Sequence, residues 1–519
     1  MLIIMSGAYI GSELQSEFGR LPPSFLPLAN RRLFVKQADS RCDSEDVYLT
    51  IPNSYELESH DINSLRINNI NVIRVSDTAS IGESLSQALI LAKPKIGEKL
   101  SVLFGDTLID SFPQEYNSIG ITQVRDDYGW AKLGDILNED IEQYSDVKNH
   151  VFSGHFSIGS PDNFLKLLAM NNFCLFSSLN NLHKLEGFYI DDNQSWLDFG
   201  HVNTYYSSRA KYTTQRSFNH LSITTEKVRK SSDQTSKMIG ESNWFNQIPA
   251  SLKIFTPQFL GDFSSPHRGY ELEYLYNTPI NELFVFSKLT NKTWKKIISS
   301  CFNFLEKCSG YSDDTFNFEL DDLFENKTKL RLSEYLSKSE GSLDTLWDFN
   351  GNPPVSILDI IHDISDSVPS KSRTCIMHGD YCFSNIIYDF KTDRIKVIDP
   401  RGVDLSGNPT IYGSQYYDVA KLAHSLSGLY DEILAGAFRL KFETGRIRFQ
   451  IIETNEHNEL EQWFYSQCLI RFELSKKQII AMQIHLFLSM LPLHSDDLIR
   501  QQALFSNVFR LYYKFLEEK

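Results

Sequence analysis

Short apolar runs separated by longer amphipathic stretches organise the first hundred residues. Leu2–Met5 (LIIM), Val47–Ile51 (VYLTI), Asn71–Val75 (NVIRV) and Leu100–Phe104 (LSVLF) have the length and composition of buried strands. Gly82–Pro94 (GESLSQALILAKP) has helical spacing and lies between the last two. That alternation predicts a parallel α/β sheet. Further on, the segment running to Lys227–Lys230 reads as a hairpin, followed by a polar turn and a helix starting near Ser236. Tyr270–Tyr276 (YELEYLY) reads as an apolar strand. Ile386–Tyr388 and Ile395–Ile398 are two β-type runs joined by the polar turn Asp389–Arg394, a second hairpin. Tyr417–Ala420 opens an amphipathic helix, and Leu460–Lys519 is largely helical. Within it, Ile479–Leu493 is apolar but includes Gln483 and His485 and is too short to span a bilayer, so it predicts a buried helix.

The second hairpin carries unusual chemistry. Pairing its strands places Asn385, just before the first, opposite Asp399, just after the second. Asp380 lies five residues before Asn385 in the loop that feeds the hairpin, and His378 and Gly379 precede it. Two hard oxygen donors suit Mg²⁺, and the third group, a carboxylate, can accept a proton from an attacking hydroxyl. The Asp380-to-Asn385 spacing is that of the kinase catalytic loop.

At 519 residues the chain exceeds one core, and 41% hydrophobic with 23% charged residues is ordinary for a globular protein. The net charge of −15 argues against non-specific nucleic-acid binding. Seven cysteines without a CxxC pair read as free thiols. The start of the chain lacks a basic segment before its apolar run, unlike a secretory signal. These features lead to the expectation of a cytoplasmic protein that neither inserts into membranes nor binds nucleic acid.

His378-Gly379-Asp380 with Asn385, then Ile398-Asp399, resembles the aminoglycoside phosphotransferase and choline kinase family of small-molecule kinases. The resemblance implies Asp380 as catalytic base, Asn385 and Asp399 as Mg²⁺ ligands, and ATP as co-substrate. By position, Lys230 would hold the nucleotide phosphates with Glu241 orienting it, and Tyr270–Tyr276 would supply the strand and hinge against adenine. Asp418 is expected to be structural, as helix N-cap or first-turn acid.

Residues 1 to about 210 resemble nucleotidyltransferases of the sugar-nucleotide pyrophosphorylase type. The features are the glycine-containing loop with Gly7 and Gly11 after the first strand, Asp106 after Leu100–Phe104, and Asp198 two positions before Gly200. The resemblance implies that Asp106 and Asp198 hold Mg²⁺ on a nucleoside triphosphate, with CTP or UTP the first candidates. The chain departs from that family at Glu13 and Ser24, where basic side chains are usual; Arg20, Arg31, Arg32 and Lys36 lie nearby in sequence to compensate.

The expected architecture is therefore an α/β, Rossmann-like nucleotidyltransferase domain over 1–211 and an α+β, bilobal, protein-kinase-like domain over 212–519. Its lobes divide at about 280. The expected activity is ATP-dependent phosphorylation of a hydroxyl on a sugar, amino alcohol or polyol. Nucleotidyl transfer to the new phosphate would follow, as in a bifunctional enzyme making NDP-activated precursors for surface polysaccharide. The alternative is a kinase whose first domain is a non-catalytic binding or oligomerisation module. The expected partners are a small hydroxyl substrate and nucleotides, with self-association left open.

Overall fold

The structure is a computed structural model. It describes residues 1–518 except 42–44, 96, 116, 125–127, 138–146, 148–149, 193–194, 212–218, 266, 314–319, 321, 338–341 and 452–454. Internal contacts divide the chain into two compact units. One is Met1–Tyr212 with Phe286–Lys288, and the other is Thr213–Val285 with Leu289–Lys519. The domain boundary expected at 211/212 abuts residues 212–218, outside the described ones. Cys42 is also outside them, and the six described cysteines are unpaired.

The first unit is built on a seven-stranded sheet. Its strands are β1 (Leu2–Met5), β2 (Val47–Pro52), β3 (Ile70–Val75), β4 (Leu100–Phe104), β5 (Ser118–Thr122), β6 (Val151–Ile158) and β7 (Tyr189–Asp192), in the spatial order β7-β5-β6-β4-β1-β2-β3. β1 pairs in parallel with both β2 and β4, so the chain switches direction across the sheet at β1. In such sheets ligands bind beyond the carboxyl ends of the strands at that point. The sheet is mixed rather than wholly parallel, because β6 runs antiparallel to both β4 and β5. All of β6 is buried, and a strand covered on both faces shows no alternation from which its place could be read. Helix α1 (Ile81–Ala92) connects β3 to β4. Its N-terminus is closed by a reciprocal pair in which Ser80 accepts from the Glu83 N–H and Glu83 accepts from the Ser80 N–H. Leu85, Ala88 and Leu89 of α1 pack with Ile3, Val102 and Phe156 in one core.

The second unit begins with a four-stranded antiparallel sheet. Its strands are β8 (Asn219–Ile223), β9 (Lys227–Ser232), β10 (Phe259–Phe263) and β11 (Gly269–Glu273), in the order β8-β9-β11-β10. Helix α2 (Thr235–Gln247) packs on it through Phe245, whose ring meets Phe259 and Tyr270. The remainder is mainly helical. The hairpin β12 (Ile386–Asp389) and β13 (Arg394–Val397) pairs Ile386 with Val397 as its apolar alternation requires. Helix α3 (Gln415–Leu426) follows it. The apolar run near the end forms the helix Lys476–Met490, buried throughout from Ile479 to Ser489. Among the described residues no helix is long and apolar enough to cross a membrane.

Candidate active site

The polar residues of the second unit meet where the hairpin, α2 and β9 converge. The Ile398 N–H donates to the Asn385 carbonyl at 3.0 Å, so Asn385 and Asp399 flank the open end of the hairpin. Asp399 takes a left-handed backbone, φ 56°, a conformation that Asp tolerates better than most residues. Its carboxylate lies 3.0 Å from the Lys230 ammonium, which also contacts Glu241 at 2.7 Å. Glu241 accepts from the Tyr270 hydroxyl at 2.7 Å as well. Burial alone would lower the Lys230 ammonium, but Asp399 and Glu241 outweigh it and hold it above its ordinary value. Burial, with the Asp399 charge adding to it, pushes the Glu241 carboxyl up.

One helix sets both sides of this arrangement. Glu241 and Trp244 are three residues apart on α2, hence on one face. Glu241 reaches Lys230, while the Trp244 indole donates to the Met377 carbonyl at 2.8 Å. Gly240 lets the helix backbone touch Gly402 and Val403; a Cβ there would collide with both. That close approach brings α2 against the segment just after Asp399.

The loop holding Asp380 is tied down at several points. Asp418, in the first turn of α3, accepts from the His378 and Gly379 N–H groups at 2.7 and 2.8 Å. The helix N-cap itself is Ser414, so Asp418 is a loop anchor in the first turn. Burial pushes its carboxyl up to about 7. His378 is fully buried and lowered to about 4 by that burial. Its Nε2–H donates to the Ile398 carbonyl at 3.0 Å, linking the loop to the hairpin end. Asn385 Nδ2 donates to the Asp380 carbonyl and to Asp380 Oδ2, both at 2.9 Å. This turns Asn385 Oδ1 outward as an oxygen donor. Asp380 Oδ1 faces Lys421 Nζ at 2.8 Å. Lys421 lies three residues after Asp418 on α3, and this spacing was the one sequence signal for it.

The first unit gathers a different set. Asp106 follows β4, and Asp198 ends a two-residue strand, Leu197–Asp198, paired with Thr107–Leu108. A Cβ on Gly200 would lie 2.6 Å from Asp106 Oδ2 and 3.2 Å from Asp198 Oδ1, so that glycine lets the carboxylates approach. Burial, followed by the Asp198 charge, raises the Asp106 carboxyl. Asp198 accepts from the Gly200 N–H at 3.1 Å, the Thr204 hydroxyl at 2.5 Å and His201 Nδ1–H at 3.0 Å. The Asp198 hydrogen bond in turn raises His201, and Glu13 adds to the effect.

Ser24 is not a vacant cation position. It is fully buried, with its N–H on Ser6 Oγ at 3.0 Å and its hydroxyl on the Gly105 carbonyl at 3.2 Å. It pins the loop before Asp106 to the loop after β1. Gln37 reinforces this with bonds to the Phe104, Gly105 and Thr107 carbonyls. Arg32 does not serve a phosphate: it is buried against Asp61 at 2.7 Å and the Phe25 carbonyl at 2.7 Å. Arg20 lies 3.8 Å over the Tyr9 ring. Gly7 has a packing reason, since a Cβ would sit 2.5 Å from Val75 Cγ2, whereas a Cβ on Gly11 would meet nothing within 4 Å.

Among the described residues no three His, Cys, Asp or Glu side chains form a metal cage. Mg²⁺ is commonly held by one or two carboxylates together with substrate phosphates, and both centres offer such a donor set. A cavity of about 660 Å³ lined by Lys292, Lys295, Lys296, Lys307 and Arg394 contains none of these residues.

No family model matches the chain, and no curated protein matches its sequence. Solved structures similar in fold cover different parts of it. One is a nucleoside-diphosphate-sugar pyrophosphorylase from Vibrio cholerae RC9, at 11% identity and TM-score 0.32, covering 40% of this chain and 99% of that one. The inositol-1-phosphate CTP transferase of T. maritima matches at 16% identity and TM-score 0.31, over 41% of this chain and 94% of its own. An aminoglycoside-3′-phosphotransferase of type VIII matches at 10% identity and TM-score 0.33, over 52% and 88%.

Proposed function

We propose that the second unit transfers the γ-phosphoryl group of ATP to a hydroxyl on a small molecule. The observation that carries this reading is the linked arrangement of Lys230, Glu241, Asp399, Asn385 and Asp380, drawn from a strand, a helix, a hairpin and a loop. Lys230, fixed by two carboxylates, presents its ammonium to the nucleotide phosphates. Asp380, oriented by Lys421 and Asn385, accepts the proton of the incoming hydroxyl as the new P–O bond forms. Magnesium, bound by Asn385 and Asp399, would neutralise charge on the phosphate oxygens. Asp418 and His378 keep the loop in position for this step.

The test is ATP consumption by the full-length protein against sugars, amino alcohols and polyols, with mass spectrometry of the products. Asp380→Asn should lower kcat by about 10²- to 10⁴-fold with the fold intact. Turnover near wild type in that variant would remove Asp380 from the reaction.

A second reading concerns the first unit. The Asp106–Asp198 pair at the switch point of the sheet supports a magnesium–nucleotide site, which would convert the phosphorylated product to a nucleotide-activated form. Glu13 acts against this by placing a further negative charge near the same centre. With CTP or UTP, pyrophosphate release that disappears in Asp198→Ala while phosphorylation persists would support nucleotidyl transfer. No release with any nucleoside triphosphate would leave this unit a binding or oligomerisation module.

A further inference from the structure

Beside Asp380 the second unit concentrates positive charge that the carboxylates among the described residues do not neutralise. Tyr417, buried on α3, is the centre of the group. Lys327 Nζ donates to its hydroxyl at 2.9 Å, and the Arg401 guanidinium lies 5.8 Å from its ring centroid. Lys421 is one turn further along the same helix, 2.8 Å from Asp380 Oδ1. Arg401 packs directly on the catalytic loop, for a Cβ on Gly379 would fall 2.6 Å from Arg401 Cβ.

Two groups register the excess. Burial lowers the Lys327 ammonium, and repulsion from Arg401 and Lys421 lowers it further. Tyr417 would be raised by burial, but Lys327, Arg401 and Lys421 together hold it below its ordinary value. The acids near this cluster are matched to Lys421: Asp380 pairs with it, and it also acts on Asp418 and Asp431. No carboxylate is among the groups acting most on Lys327. Among the described residues none lies within ion-pair distance of Lys327 or Arg401.

Lys327 and Lys421 make their contacts with Tyr417 and Asp380 rather than with the groups assigned to the nucleotide, while Arg401, two residues after Asp399, lies against Gly379 and Tyr417. Asp380 Oδ2 faces Asn385, on the side of Asp399 and Lys230, whereas Oδ1 faces Lys421. In an in-line displacement the attacking hydroxyl enters opposite the leaving group, next to the base. We propose that the acceptor hydroxyl belongs to a molecule bearing its own anionic group, a carboxylate or a phosphate, which Lys327 and Arg401 bind beside Asp380. The proposal rests on the kinase reading above and narrows its substrate class: a cationic amino alcohol would be repelled here, and a neutral polyol would leave both cations uncompensated.

The experiment uses full-length protein saturated with a non-hydrolysable ATP analogue and magnesium, titrated by calorimetry with inorganic phosphate and, separately, with glycerate. Saturable binding of at least one is expected. Lys327→Met and Arg401→Met should each weaken it by about ten- to a hundredfold, the worth of a hydrogen bond to a charged group. Arg401→Lys should recover part of the loss, and affinity for the ATP analogue should change by less than about twofold. In parallel, ATP consumption is compared across glycerol, glycerate, glycerol phosphate and ethanolamine. Absence of anion binding at nucleotide-saturated protein, or weaker ATP-analogue binding with unchanged anion binding in the variants, overturns the proposal. Faster consumption with glycerol or ethanolamine than with either anion does so too. Absence of phosphoryl transfer to every compound, with anion binding intact, would instead count against the kinase reading.

Discussion

In the second unit each carboxylate of the centre has a protein cation against it: Lys230 contacts Glu241 and Asp399, and Lys421 contacts Asp380. In the first unit Asp106 and Asp198 face each other, and the basic side chain hydrogen-bonded to the pair is the imidazole of His201. The first arrangement is preorganised by its own ion pairs and hydrogen bonds. The second keeps two negative groups close without full compensation, a state that favours binding of an external cation. The two centres should therefore respond in opposite ways when charge is removed.

The largest effect is expected at Lys230. Lys230→Met leaves Glu241 buried beside Asp399 with only the more exposed Lys237, 3.7 Å away, as a cation; removing one partner of a buried pair costs about 3–5 kcal/mol of stability. The thermal midpoint of the full chain should fall and phosphoryl transfer should be lost. Combining the change with Glu241→Leu should restore much of the stability and none of the activity. A single variant as stable as wild type would mean that the pair does not hold β9 to α2.

pH separates the centres next. His378 is buried neutral, lowered from 6.5 to about 4. The unfolded chain binds this proton first, so stability is lost as pH falls from 6.5 towards 4, by on the order of 3 kcal/mol in total. His201 has the opposite sign. Its raised value means that its contribution is present below 6.5 and is lost as pH rises through the folded value. Unfolding midpoints of wild type, His378→Gln and His201→Gln across pH 4–8 test this. The first variant should flatten the acid limb and the second the neutral one; identical profiles would remove the contrast.

What could be read from the sequence follows the same division. The hairpin centre was legible because Asp380, Asn385 and Asp399 lie within twenty residues and local strand pairing brings them together. Lys230 and Glu241 stand on a strand and the helix next to it, again a local relation. Lys327 and Arg401 meet at Tyr417 from segments distant in sequence, so nothing in their spacing announces them. In the first unit Asp106 and Asp198 are joined by the pairing of Thr107 with Asp198, a contact between distant segments that carries no local pattern. Ser24 stands where a basic side chain is expected from the resemblance, but its burial between Ser6 and Gly105 makes it a position a lysine would not occupy without disturbing the loop. The antiparallel β6 was hidden because burial on both faces leaves no alternation.

The two glycines of the first loop give a smaller and more local contrast. Gly7→Ala drives a methyl group into Val75 and should cost about 1–3 kcal/mol, as overpacking does. Gly11→Ala meets nothing and should change stability by less than about 0.5 kcal/mol. Chemical denaturation distinguishes the two. If Gly11→Ala nevertheless weakens nucleotide binding, the space in front of it is where a phosphate approaches.

The smallest change in stability carries the sharpest test of the comparison. Asp106→Asn removes one of two mutually repelling, largely buried carboxylates, so the protein should become more stable, by about 1 kcal/mol or more. The matching removal of charge in the second unit, Lys230→Met, destabilises. A stabilising substitution that also abolishes magnesium-dependent binding of CTP or UTP would show that the pair is held together for a ligand, at a cost to the fold. If Asp106→Asn destabilises, the repulsion is already balanced within the protein by Thr204, His201 and the backbone around Gly200. The first unit would then resemble the second in being internally compensated, and the argument for a cation there would lose its physical basis.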